Sequence, residues 1–296
     1  MGINTVGISD KAFTIFTYVF LGFITLLVIY PLYYVLIASF SDPFDVFGGK
    51  TFLWISSPTL EGYQRVFSEP AIMTGYRNTI LYTTIGTIFS TVLVLITAYP
   101  LSRQLPGKKL IMTFFVITMF FSGGLIPTYI IVQRTGLINN MWALFLPGGV
   151  SVFNVIITRN FFEKSIDREI YEAAAIDGAS EFLTFYRIAL PLAMPITAVL
   201  VIFAMVAYWN DWFAALIYLP DRDKAPLQLI LRQILIQSET AGRMLSGMTG
   251  GYADRLRATE LIKFASIIIS TAPMLAFYPF VQKYFKRGIM AGAIKG

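Results

Sequence analysis

Six long stretches without a charged residue constrain this chain more than anything else in it. Lys11 and Asp42 enclose 30 uncharged residues, Arg77 and Arg103 enclose 25, and Lys109 and Arg134 enclose 24. Arg134 and Arg159 enclose another 24, Arg187 and Asp211 enclose 23, and Lys263 and Lys283 enclose 19. A helix needs about 20 largely apolar residues to cross a bilayer, and a soluble core seldom buries helices of that length six times over. The spacing predicts an all-α polytopic integral membrane protein, a single transmembrane domain over 1–296. Its spans fall at about 13–40, 78–101, 110–132, 139–158, 188–210 and 264–282.

Composition supports this and removes several chemistries. Only 14% of the residues are charged and the chain has neither histidine nor cysteine. Disulfides, thiolate metal sites, Cys or His nucleophiles and a Ser-His-Asp triad are excluded. No cofactor is called for. The net charge of +6 sits in a chain too apolar for a usual nucleic-acid binder, so it reads as the loop bias of a membrane protein.

The first apolar run exceeds the roughly 7–15 residues of a signal-peptide core and is read as a span. Gly136, Asn139 and Asn140 between the third and fourth spans predict a tight turn. The apolar 213–220 stretch is too short to cross and is expected to lie at the interface or re-enter. Pro31, Pro127, Pro147, Pro195 and Pro273 fall inside spans, and Pro147-Gly148-Gly149 is the sharpest breaker. Each Pro removes a backbone donor that neighbours must offset. Ordinary kinking and an irregular backbone lining a pathway both remain open.

Six spans put both termini on one side, whose Lys+Arg count of 12 barely differs from 11 on the other. Short loops carry the orientation signal. The 103–109 loop and the tail after 282 are basic without acids, so the termini are placed in the cytoplasm. Outside, the 42–77 loop carries mixed charge and aromatics. In the 212–262 loop, Pro226 opens an amphipathic helix with Leu227, Ile230, Leu231, Ile234 and Leu235 on one face. It reads as a helix on the bilayer surface or as a docking surface for an external partner. Gly242–Gly251 is expected to be loose. Gly49-Lys50-Thr51 is not a phosphate loop, because Phe44 stands where the first glycine belongs. Gly288 and Gly292 lie in a basic tail, which argues against helix dimerisation there.

The most informative segment lies in the 159–187 loop. Ser165 is a plausible N-cap, Asp167 and Glu169 suit a first helical turn, and Gly178 suits a left-handed stop. Ile170, Ala173, Ala174 and Asp177 share one face at helical spacing. A second helical stretch from Glu181 to Leu190 ends at Pro191. Nothing in this foot suits catalysis, and its small residues suit a groove on a partner.

Here the residues match a known signature. Glu172-Ala173-Ala174, then Gly178, Ile188, Leu190 and Pro191 reproduce without a gap the loop motif of binding-protein-dependent ABC importer permeases. Seven fixed positions fall within 20 residues. With Trp209-Asn210-Asp211 ending the fifth span and the 286–296 tail, most of the chain resembles the second permease of maltose-type, carbohydrate-class importers. The resemblance implies a type I ABC importer permease fold in a bacterial inner membrane. It implies as partners a second related permease, two ATP-binding subunits, an extracytoplasmic sugar-binding protein and membrane lipid, with no nucleic acid. It also implies that ATP hydrolysis belongs to the partner subunits, so that this chain is not itself an enzyme.

By the same resemblance Glu172, Ala173, Ala174, Asp177, Gly178, Ile188, Leu190 and Pro191 would couple to the ATPase, with Glu172 facing a basic group there. The 287–296 tail would reach the ATPase interface or lie on anionic lipid. The 227–262 insert and the tail look most like permeases for oligosaccharides from plant or algal polysaccharides, neutral or acidic. Asn154, Tyr208, Trp209, Asn210 and Asp211 offer the amide, aromatic and carboxylate groups of a sugar pathway. For Asn154 an interhelical hydrogen bond and for Trp209 and Trp212 an interfacial anchor are the alternative readings. Peptide or amino-acid permeases share the loop motif. An ion-coupled transporter needs a mid-span ionisable residue, which these spans lack.

Overall fold

The computed structural model describes residues 8–244 and 252–293, with side chains over 10–236 and 257–277 and at Pro279. The described residues are helical throughout, apart from turns and an isolated antiparallel bridge between Ser41 and Pro58. The chain divides into two compact units, Met1–Glu69 with Ile234–Thr271 and Pro70–Gln233 with Ala272–Gly296.

In the first unit, α1 (Ile8–Ser39) is followed by α2 (Pro43–Phe47) and α3 (Glu61–Ser68). Apolar side chains of α1 from Phe13 to Leu32 are exposed on every side. A helix apolar all round is stable only in a core or a bilayer. The Tyr33 hydroxyl donates to the Leu53 carbonyl at 2.6 Å, folding the 50–57 segment back along α1. Asp42 accepts the Phe44 amide and so caps α2, with Pro43 at its first position. Arg257 gathers this unit by donating to Asp42 at 2.8 Å and to Glu61 at 3.0 Å.

The second unit is built on α4 (Pro70–Ser102), an unbroken helix of 33 residues. After it come α5 (Lys108–Phe120), α6 (Leu125–Arg134), α7 (Trp142–Phe145), α8 (Val152–Lys164), α9 (Arg168–Ile176) and α10 (Glu181–Thr184). A π-helical turn (Phe185–Ala189) leads to α11 (Leu190–Leu192), α12 (Met194–Trp209) and α13 (Phe213–Tyr218). A 3₁₀ turn (Arg222–Lys224) precedes α14 (Leu227–Met244), which belongs to the first unit from Ile234 on, and α15 (Tyr252–Ala293) belongs to the first unit up to Thr271 and to the second after it. α4 packs mainly against α12 and α8. Its Gly86 lies so close to the Tyr208 ring that a Cβ would meet it at 2.8 Å. The core gathers Leu95, Ala98, Tyr99, Val155, Phe162 and Leu200.

Among the described residues, three helices are long and apolar enough to cross a membrane: Asp10–Ser39, Pro70–Ser102 and Arg257–Phe277. They correspond to the expected first, second and sixth spans. The expected third span is not one straight helix. α5 and α6 meet at 112° across 121–124, where Gly124 takes φ +85°. The fifth is bent by 78° at Ala193, between Pro191 and Pro195. The expected helix at 139–158 is also interrupted. Only α7 and the start of α8 are helical there, because Pro147-Gly148-Gly149 stops one and the Ser151 hydroxyl, accepting the Asn154 amide, starts the other.

The turn before α7 is as expected, with Gly136 at φ +71° and Asn139 at φ +63°. Pro226 does open a helix, and Leu227, Ile230 and Leu231 are buried in it. The expected loose segment is helical to Met244, and 245–251 lies outside the described residues. The tail is helical to Ala293, and its side chains also lie outside the described ones.

Candidate functional site: the helical foot and a polar cavity

The foot is α9, α10 and the π turn. Its first cap differs from the expected one. Ser165 is the C-cap of α8, and Asp167 takes the N-cap position of α9. Both residue types cap well, and the chain resolves the choice by continuing α8 through Lys164. α9 ends as expected at Gly178, with φ +75°. Ala179 donates to the Ala174 carbonyl at 2.9 Å and Gly178 to Ala175 at 3.1 Å. Those two bonds form a Schellman closure, which satisfies carbonyls a helix end leaves orphaned. Ser180 then caps α10 by accepting the Leu183 amide.

The shared face expected for Ile170, Ala173, Ala174 and Asp177 is split. Ala174 turns inward with Tyr171, one turn away, while the other three are exposed. With alanine at 173, 174 and 175, periodicity alone cannot tell which of them packs. The outward surface carries Glu172, Ala173, Asp177 and Gly178 beside Ile176 and Phe182, which are 86% and 77% exposed. These two apolar side chains carry no motif and only the fold reveals them as a surface. Glu172 accepts from Arg168 at 2.8 Å on the open face. Ile188 and Leu190 are half-buried and Pro191 is exposed in the turn leading to α12.

The foot is held from inside by aromatic and charged groups at and just past the end of α4 and on α8. Tyr99 donates to Glu181 at 3.0 Å, and the Arg103 guanidinium lies 4.0 Å over the Tyr171 ring. Burial raises the Tyr171 phenol above its usual pKa. Beside it, Glu163 accepts from Lys108 and from Arg159 at 2.7 Å. Burial alone would raise the Glu163 carboxyl, but hydrogen bonds from Lys108 and Arg159 override it and hold the value below the usual range. Arg159 also donates to the Leu101 carbonyl at 3.1 Å, satisfying the end of α4. Arg103, Lys108, Glu163, Tyr171 and Glu181 line a cavity of about 500 Å³.

A second cavity, about 410 Å³, is lined by Ser90, Ser151, Asn154, Tyr208 and Asp211 among apolar neighbours. It brings together three of the five residues expected on a pathway. Tyr208 hydrogen-bonds Ser90. Asp211 accepts the Ala214 amide at 3.1 Å, which also caps α13. Trp209 and Asn210 go elsewhere. Trp209 is buried edge-on against Tyr76, 6.1 Å between centroids, and Asn210 donates to the Val206 carbonyl at 2.8 Å. Ser90 and Ser151 join Asn154, Tyr208 and Asp211 in the cavity, although single serines in apolar runs carry no spacing signal.

Nearly the whole chain is similar to known proteins. Residues 1–291 match the family described as "Binding-protein-dependent transport system inner membrane component". Protein LplC of Bacillus subtilis (strain 168) is 38% identical over 293 residues, 97% of this chain and 96% of that one. The polygalacturonan/rhamnogalacturonan transport system permease protein YtcP of the same organism is 37% identical over 97% of this chain and all of its own. A crystal structure of a bacterial ABC transporter involved in the import of the acidic polysaccharide alginate contains a chain that aligns with TM-score 0.84 and 31% identity. The alignment covers 94% of this chain and 98% of that one. A motif-bearing foot, apolar helices and near full-length similarity converge, and the chain belongs to the family of binding-protein-dependent transport system inner membrane components, the multi-pass permeases of ABC importers.

Proposed function

We propose that this chain is one of two permeases of an ATP-driven importer, and that it passes oligosaccharide delivered by an external binding protein. The observation that carries the reading is the foot. Its outward surface sets the small Ala173 and Gly178 and the apolar Ile176 and Phe182 beside the carboxylates Glu172 and Asp177, all exposed, while Tyr171 and Ala174 fasten it inward. Such a surface fits a cleft on another subunit and offers no group for hydrolysing ATP itself.

In this reading the chain crosses the bilayer six times with both termini in the cytoplasm. The bent α5–α6 pair, the α7–α8 segment and the bent α10–α12 segment supply the third, fourth and fifth crossings. Irregular backbone at membrane depth is tolerated where protein or a water-filled path covers it, which suits the cavity beside Gly148. ATP binding by the partner subunits closes them on the foot. The conformation they favour is selected because ATP binds the closed state better than the open one. Oligosaccharides of plant or algal polysaccharides are the proposed cargo, supported by the names of the polygalacturonan/rhamnogalacturonan permease and the alginate transporter. Asn154, Tyr208 and Asp211 are the proposed sugar contacts in this subunit.

The test is ATP-driven uptake of oligogalacturonides by membranes holding the whole transporter. Glu172→Lys or Gly178→Val is expected to abolish uptake while the chain still inserts and accumulates. Uptake at the unsubstituted rate by either variant overturns the reading.

A further inference from the structure

The covalent route from the foot to α12 is a soft one. It passes through a π turn at Phe185–Ala189, through Pro191 and then through the 78° bend at Ala193. Such interruptions of the helical ladder are where helices flex. A second route is direct. Tyr99, in the last turn of α4, and Arg103, the residue just past its end at Ser102, together touch both arms of the foot. The Tyr99 hydroxyl donates to Glu181 of α10 at 3.0 Å, and its ring packs at a tilt against Phe185, 4.9 Å between centroids, and Tyr171, 6.4 Å between centroids. Arg103 covers the Tyr171 ring of α9 at 4.0 Å, and its Nε lies 3.7 Å from Glu181.

Tyr99 and Tyr171 are only 5% and 4% exposed. Close-packed contacts of this kind are barely compressible and pass displacement on. From Tyr99 the helix continues without interruption to Pro70, a lever of about 40 Å at 1.5 Å per residue. The Arg103 Nε and the Tyr171 hydroxyl have no hydrogen-bond partner among the described residues. Arg103 therefore has somewhere to go. It can leave the Tyr171 ring and close the gap to Glu181 without giving up a bond at that nitrogen.

We infer that Tyr99 and Arg103 are positioning residues that carry movement of the foot into α4, so that the ATPase drives α4 directly as well as α12 through the backbone. The inference rests on the foot being the ATPase-coupling element. It makes α4 the primary moving wall of the polar cavity, through Ser90.

The absence of cysteine makes the test direct. Met73→Cys, near the far end of α4, and Phe213→Cys, on α13, are spin-labelled in the complete transporter. The distance between the labels is measured by pulsed EPR without nucleotide and with Mg-ATP and vanadate. The expected result is a shift in the otherwise unsubstituted complex that is lost when Tyr99→Phe and Arg103→Ala are added. ATPase co-purification and ATP hydrolysis are expected to stay within about twofold, so that uptake per ATP falls about tenfold. Glu181→Ala, an exposed side chain, is expected to give the same loss and decides the matter if the double variant fails to assemble. An equal shift with and without these substitutions overturns the strut and leaves ATPase coupling standing. Failure of any ATPase to co-purify with the unsubstituted chain overturns the coupling reading, and the strut with it.

Discussion

Gly62 lies directly against the backbone of Leu261, so close that a Cβ on it would sit 2.6 Å from the Leu261 carbonyl oxygen. The contact joins α3 to α15 within the first unit, next to the Arg257 bridge to Asp42 and Glu61. A backbone oxygen cannot rotate away as a side chain can. Gly62→Ala is therefore expected to destabilise this unit by about 1–3 kcal/mol, the usual cost of overpacking. The measurement is hydrogen exchange at the α2 and α3 amides, which should quicken in the variant while exchange in α4 is unchanged.

Gly178 holds φ +75° at the end of α9. An ordinary L-residue there costs about 1–2 kcal/mol, and asparagine tolerates the left-handed region better than most. Gly178→Ala is expected to weaken capture of the ATPase in a pull-down, and Gly178→Asn to restore much of it. Equal capture by the alanine variant would show that the conformation of the stop is immaterial.

Glu163 is tied to Lys108 and Arg159, and its carboxyl is held below the usual glutamate value of 4.5. A lowered native pKa stabilises the fold above the unfolded value, and that contribution is lost as pH falls through the native one. Stability from this cluster is thus full at neutral pH and disappears below about pH 4.5. Glu163→Gln is expected to cost about 1 kcal/mol at pH 7, read as a lower Tm in detergent. The Tm difference between the two proteins should shrink at pH 4.

Asp211 has two roles in one place, capping α13 through the Ala214 amide and lining the polar cavity. Asparagine keeps the cap and removes the charge, whereas alanine loses the cap at about 1 kcal/mol. Asp211→Asn is expected to fold normally and slow oligosaccharide uptake about tenfold through a lost sugar contact. Undiminished uptake by the asparagine variant, with Tm lowered only in Asp211→Ala, would reduce Asp211 to a helix cap.

Much of this was legible in order along the chain. The first, second and sixth charge-free runs became α1, α4 and the central part of α15, and Gly178 became the stop of α9. The fourth run was apolar enough for the membrane yet not a continuous helix. Apolarity reports which solvent a segment tolerates, while Pro147-Gly148-Gly149 decides whether its backbone stays helical. Gly149 is packed against the Phe145 carbonyl and the Phe89 ring, each 2.8 Å from where a Cβ would stand. That close approach depends on a residue 60 positions away, beyond the reach of local periodicity.

By itself, the sequence determined that this protein belongs in a membrane, that its 172–191 segment is a helix, a left-handed stop and a second helix, and that no thiol or imidazole chemistry belongs to it. Those properties are local: they follow from hydropathy, capping and backbone conformation within a few residues. Only the tertiary structure decided that Ala174 and not Ala173 turns inward, that Tyr208 enters the cavity while Trp209 packs on Tyr76, and that Tyr99 reaches Glu181. Each of these depends on which side chains of distant segments occupy the space on one face of a helix, and packing in three dimensions alone settles that.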